Sequence, residues 1–163
     1  MDLDAPMDAW YVWVGVAMVS IGLMAFAVGL PSQPPPDAGR AAAAIDRVGA
    51  SEYDAATSLD HGGEAVRVGP ERIALRNSGG TNRATLSFGP VLPREALALN
   101  SSQRTVLDGV LAGERPLPAD LHDTISDALE SLDTVSGEWR PATDPLRARS
   151  VRVDGQRVVL VGV

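Results

Sequence analysis

Arg67, Arg72, Arg76 and Arg83 are the residues of this chain best suited to specific recognition chemistry. A guanidinium is permanently charged and offers its N–H donors in a planar fork that matches a carboxylate. Gathered on one polar sheet face, the four would meet the acidic groups of a partner. The alternative is an ordinary solvated face, in which they pair across strands with Glu64 and Glu71.

Other reactive residue types lack the company that catalysis needs. The only histidines are His61, in a Gly-rich turn, and His122, on a helix; no HxH, HxxxH or HExxH spacing occurs. Both read as surface residues. Asp120, Asp123, Asp127 and Glu130 share a helix face but lack the calcium-loop spacing, so the face reads as solvated. The SGGTNR stretch at Ser78–Arg83 lacks the Gly-Lys-Ser/Thr ending of a phosphate loop and sits between two strands, as a hairpin turn would. There is no GxSxG elbow, and the absence of Cys removes disulfides, zinc–thiolate sites and cysteine nucleophiles together. The chain is expected to be non-enzymatic, with no catalytic residue, cofactor or metal.

The elements that must position the arginines are short strands. Ala65–Val68 and Arg72–Arg76 flank Gly69-Pro70; in RIALR, Ile73 and Leu75 alternate with Arg72, Ala74 and Arg76. Asn77-Ser78-Gly79-Gly80 is turn chemistry. Ala84–Phe88 returns, with Ala84, Leu86 and Phe88 on one face, and Gly89-Pro90 and Pro93 end it. Tyr53–Leu59 is a further strand candidate. Asp154-Gly155 predicts a type I′ hairpin between SVRV and the run Val158–Val163.

Three helices accompany them. Asp37 caps a helix over Ala38–Val48, with Gly49 at its C′ position; Ser102 caps QRTVLDGVLA, closed by Gly113; Ala119–Leu132 carries an apolar stripe. The fold class is α+β: an N-terminal transmembrane helix, then a small antiparallel sheet of about five strands packed with two or three helices.

The transmembrane assignment rests on Ala9–Leu30, AWYVWVGVAMVSIGLMAFAVGL, which holds no charge and no proline. At ~1.5 Å per residue it crosses the ~30 Å hydrocarbon core. The leader before it, MDLDAPMD, has no Lys or Arg, and the run is longer than a signal-peptide core, so a retained span is expected. Trp10, Tyr11 and Trp13 mark a membrane–water interface. Gly15, Gly22 and Gly29 recur every seven residues and form a candidate stripe for self-association or for contact with another membrane protein. The organisation is thus an acidic tail (1–8), the span (9–30), a Pro-rich spacer (31–37) and an α+β domain (38–163).

The 14 basic residues are all Arg, against 21 acidic residues, for a net charge of −7. That balance argues against nucleic-acid binding. An acidic, lysine-free, Ala-rich chain has the composition of a protein from a salt-adapted microbe.

The leader MDLDAPMDAWYVW, the span, the PPPDA spacer and the block VRVGPERIALRNSGGTNRATLSFGPV resemble an uncharacterised haloarchaeal family of single-span membrane proteins associated with type IV pilus-like and secretion gene clusters. The likeness runs over essentially the whole chain. It implies a structural or assembly subunit of such a system. Pro6-Met7-Asp8 departs from the basic and small residues that precede a processed archaeal pilin segment, so a permanently anchored subunit is the form implied. The residues themselves suggest the alternative of a membrane-tethered binding or sensory module using the arginine face. Arg40 and Arg47 direct the domain inward by the positive-inside rule, whereas the filament resemblance and the Asn100-Ser101-Ser102 sequon direct it outward. A single-pass cell-membrane protein with an extracellular domain is the resulting expectation.

Overall fold

A computed structural model describes residues 9–29, 33–132 and 137–163. The chain forms two compact units, one ending at Ser32 and the other spanning Gln33–Val163. The acidic tail 1–8 and residues 30–32 of the span and spacer lie outside the described residues.

The first unit is helix α1, Ala9–Val28. It is apolar all round, and none of Trp10–Val28 is buried within the chain. It is long and apolar enough to cross a membrane. The helix ends at Val28, one turn after Ala25, and Gly29 donates its N–H to the Ala25 and Phe26 carbonyls.

The second unit begins with α2 (Ala38–Gly49), capped by Asp37, whose carboxylate accepts the Arg40 N–H. Strands β1 (Ala56–Leu59), β2 (Ala65–Val68), β3 (Arg72–Asn77), β4 (Gly80–Thr85) and β5 (Val91–Pro93) follow. Helices α3 (Ser101–Leu111) and α4 (His122–Glu130) precede β6 (Arg140–Pro141), β7 (Leu146–Val153) and β8 (Gln156–Gly162). The strands make two sheets of four, β1-β7-β8-β5 and β4-β3-β2-β6. All pairs are antiparallel except β5–β8.

The α+β class therefore holds, with the strands divided between two sheets and one parallel pair among them. The extra strands, β5 and β6, are three and two residues long and contain proline. Such short segments carry no period-2 signal.

Three layers result. In β8, Val159 and Val161 face one core and Val158 and Leu160 the other. The first core joins this sheet to α2 and to the inner face of the second sheet through Ala41, Ile45, Ile73 and Leu75. The second core packs α3 and α4 on the far side, through Leu107, Val110 and Ile125. The Asp154-Gly155 hairpin has the expected geometry, with φ of 50° and 80°.

Local details depart from the sequence expectations for identifiable reasons. Asn100, not Ser102, caps α3: it accepts the Gln103 N–H while the Gln103 side chain accepts the Asn100 N–H. Gly49 is the last residue of α2, with no left-handed turn after it. Its function is clearance, because a Cβ there would sit 3.0 Å from Phe88 Cβ and 3.2 Å from Val159 Cγ2. Phe88 lies beyond β4 and is exposed, because Asp46 Oδ1 captures the Ser87 and Phe88 N–H groups and draws the chain off the sheet. The described part of the Pro-rich segment, Gln33–Asp37, lies on the domain, with Pro36 buried.

That segment is held by the β3–β4 turn. Buried Asn77 donates Nδ2 to the Pro34 carbonyl (3.0 Å) and to the Gly62 carbonyl (3.3 Å), and its Oδ1 accepts the Gly79 N–H (2.8 Å). The close approach also demands glycine at 79, where a Cβ would overlap the Gln33 carbonyl.

Two stability outcomes follow from these contacts. Asn77→Ala removes three hydrogen bonds worth ~1 kcal/mol each, so a loss of ~2–3 kcal/mol is expected in chemical denaturation of the full chain. A loss below ~0.5 kcal/mol would contradict the clamp. For Gly49→Ala, the ~1 kcal/mol gain in helix propensity is outweighed by ~1–3 kcal/mol of overpacking, so the variant melts lower than the parent.

Candidate functional site

Residues directly opposite each other in a sheet share a face. In the second sheet Arg67 pairs with Ala74, and Ala74 with Arg83, making one row. Arg72 pairs with Thr85, and Arg76 with Ala65 and Thr81. By strand alternation Arg72, Ala74 and Arg76 share a side of β3. All four arginines therefore lie on one face, and all four are exposed. The other face carries Val66, Val68, Ile73 and Leu75, each at most 8 % exposed.

The arginines surround Ala74, which is only 6 % exposed. At ~4.8 Å between strands and ~6.8 Å between alternate residues, the Cα frame is ~10 Å by ~14 Å. Thr81 and Thr85 add hydroxyls to it. Two guanidinium groups ~10 Å apart in water repel by ~0.4 kcal/mol, so the cluster costs little to hold and is relieved by any carboxylate that enters.

Glu64 and Glu71 do not neutralise the face. Each lies just before its strand, Glu64 before β2 and Glu71 before β3, and neither is ion-paired with an arginine of the face among the described residues. Among the described residues the ion pairs are Arg94–Asp108 and Arg140–Glu138. Arg76 instead lies over the ring of Trp139, 4.7 Å from its centroid. Half-buried Trp139 had no sequence signal: it precedes a two-residue strand, with no periodicity to place it.

The other candidates stay apart. Gly63 donates its N–H to His61 Nδ1 (3.0 Å), which puts the proton on Nε2, facing the Asp144 carbonyl at 3.1 Å. His61 thus ties a loop. His122 begins α4, half-buried, and Asp120, Asp123, Asp127 and Glu130 are exposed. Among the described residues no three His, Asp or Glu converge on a metal position. A cleft of about 260 Å³ lined by Val66, Pro93, Arg140 and Val161 is smaller than the ~300–1,000 Å³ of small-molecule sites. Of the glycine stripe, Gly15 and Gly22 have open space at the Cβ position, and Gly29 lies just past α1, beside the carbonyls of its own last turn.

Arg149 shows a structural use of the same residue type. It donates to the Val110 and Arg115 carbonyls (2.6 and 2.7 Å), capping the C-terminal end of α3. Nothing comparable engages Arg67, Arg72 or Arg83 among the described side-chain hydrogen bonds.

No curated protein and no solved structure matches the chain. The model of a family of unknown function, DUF7283, matches residues 4–151, which takes in both the apolar helix and the arginine face, and the chain belongs to that family.

Proposed function

We propose that this chain is a permanently anchored, non-enzymatic accessory subunit of a membrane assembly, whose arginine face docks an acidic surface of a partner protein. One observation carries the reading: four exposed arginines share a sheet face, and none is ion-paired among the described residues, in a chain of net charge −7. The helix supplies the anchor, and its Gly15–Gly22 side supplies close contact with a second membrane helix or another copy.

The likeness to haloarchaeal proteins of pilus-like and secretion gene clusters supports such a system as the assembly. It also supports an extracellular domain. At the salt of such an environment the Debye length is ~3 Å or less, so long-range charge is screened and contact geometry decides. Forked guanidinium–carboxylate pairs act at contact, whereas nucleic-acid binding draws on counterion release that high salt abolishes.

Cross-linking in native membranes tests the assembly role. The parent is expected to recover a membrane-spanning platform protein of such a system. The quadruple variant Arg67→Ser, Arg72→Ser, Arg76→Ser, Arg83→Ser should lose at least tenfold of it at unchanged expression, and Gly15→Leu with Gly22→Leu should lose helix-mediated cross-links only. Equal recovery by the quadruple variant would remove the arginine face from the proposal. Protease treatment of intact cells should digest the domain; full protection would reverse its sidedness.

A further inference from the structure

The arginine face ends at an open strand. In the order β4-β3-β2-β6, β4 is an edge, six residues long. The ladder to β3 continues in the bond from Leu86 N–H to the Glu71 carbonyl (2.8 Å), which shares the phase of Ala84, Asn82 and Gly80. Antiparallel pairing alternates between bonded and non-bonded pairs. Thr81, Arg83 and Thr85 therefore turn their N–H and C=O groups away from β3. Among the described residues no other backbone group bonds them. Arg83 confirms the direction: its N–H is held at 2.8 Å by Asn82 Oδ1, a neighbour's side chain standing in for a strand.

Edges of this kind are commonly blunted by lysine, proline or a bulge. β4, GTNRAT, has no proline and one charge, Arg83, whose side chain lies on the arginine face; α2 packs against the strand where Ala84 is half-buried in the first core. The residues that turn their backbone groups outward are also those whose side chains share the face with Arg67, Arg72 and Arg76.

We infer that the partner enters as an added strand: an extended protein segment pairs antiparallel with β4 and carries acidic side chains at alternate positions. This rests on the docking role proposed for the arginine face and names the form of its ligand. Antiparallel addition matches the rest of this sheet, whose pairs are all antiparallel. A residue opposite Arg83 would lie ~5 Å from it, and its alternate neighbours opposite Thr81 and Thr85. Their carboxylates then meet Arg83 directly and reach toward Arg72 and Arg76. Backbone bonds supply the affinity, and the arginines select the acidic side chains. Asn82 Oδ1 is displaced from the Arg83 N–H as the strand arrives.

The geometry fixes which ligand amides matter. Residues opposite Thr81, Arg83 and Thr85 share their face, and in an antiparallel pair these same residues exchange backbone bonds with them. The acidic residues of the ligand therefore use their own amides. Three octapeptides alternating Glu and Thr test this against the full chain in detergent micelles, by fluorescence anisotropy: one unmodified, one N-methylated at the Glu amides, one N-methylated at the Thr amides.

The unmodified and Thr-methylated peptides should bind within about threefold of each other. The Glu-methylated peptide should bind at least tenfold more weakly, because it loses two or three backbone hydrogen bonds to β4. Equal binding of all three, abolished by the quadruple arginine variant, would overturn strand addition while leaving the docking face intact. Equal displacement of all three by phosphatidylglycerol micelles would assign the face to a lipid surface and overturn it. No binding above that of a proline-interrupted peptide of equal charge would remove both readings.

Discussion

Side chains on a strand alternate between its faces, and in β2 and β3 that alternation is pinned by what lies beneath. Val66, Val68, Ile73 and Leu75 are buried against α2 and the first sheet. A slip of one residue would expose them and drive Arg67, Arg72 and Arg76 into the core. Each large apolar side chain gains ~1.5–3 kcal/mol from burial, and an unpaired buried charge costs several kcal/mol. Together these exceed the ~5–15 kcal/mol stability of a typical domain, so the register has no competitor. The arginine cluster is in this sense a by-product of the core: the residues that hold the sheet down dictate which residues point away from it.

The layering decides which sheet can present a surface at all. The first sheet is covered on both sides, by α2 and the second sheet on one and by α3 and α4 on the other. Its strands read accordingly, with VVLV in β8 continuously apolar. The second sheet is covered on one side only, and it is there that polar and apolar residues alternate. The first sheet is thus covered on both faces, while the second leaves one face to solvent. The turn at Asn77–Gly80 sets the β3–β4 register and grips the entering chain at Gln33 and Pro34 through Asn77 and Gly79.

What could be read from the sequence was local. The RIALR alternation, the NSGG turn, the Asp154-Gly155 hairpin and the apolar run of α1 each declare themselves within a dozen residues, and the four arginines fell on one face as that alternation requires. What could not be read was relational. Gly49 looked like a helix stop, but the atoms that exclude a side chain there belong to Phe88 and Val159. Trp139 reaches Arg76 only because β6 pairs with β2, across more than seventy residues. Ser102 had the right chemistry for a cap, but Asn100 had it too, with Gln103 in position to reciprocate. The division into two sheets has no local signature, because strand order depends on which apolar faces find each other.

The chemistry of the exposed face also bears on why arginine is the basic residue there. An exposed ion pair contributes ~0–1 kcal/mol, and salt weakens it further. Four such contacts give a weak site in solution. In the proposed role a membrane anchor would change that balance, because it would hold the domain beside an equally anchored partner, at effective concentrations near millimolar that make weak contacts sufficient. Lysine would serve poorly in this role: its ammonium is a compact, strongly hydrated charge whose attraction is mostly long-range. Guanidinium is more weakly hydrated, binds in a fork, and stacks on aromatic rings as Arg76 does on Trp139. Its contribution lies in contact geometry, which screening leaves intact. In the proposed docking, the arginine face and the strand edge beside it would combine two short-range forms of recognition, neither of which depends on the net charge of the chain.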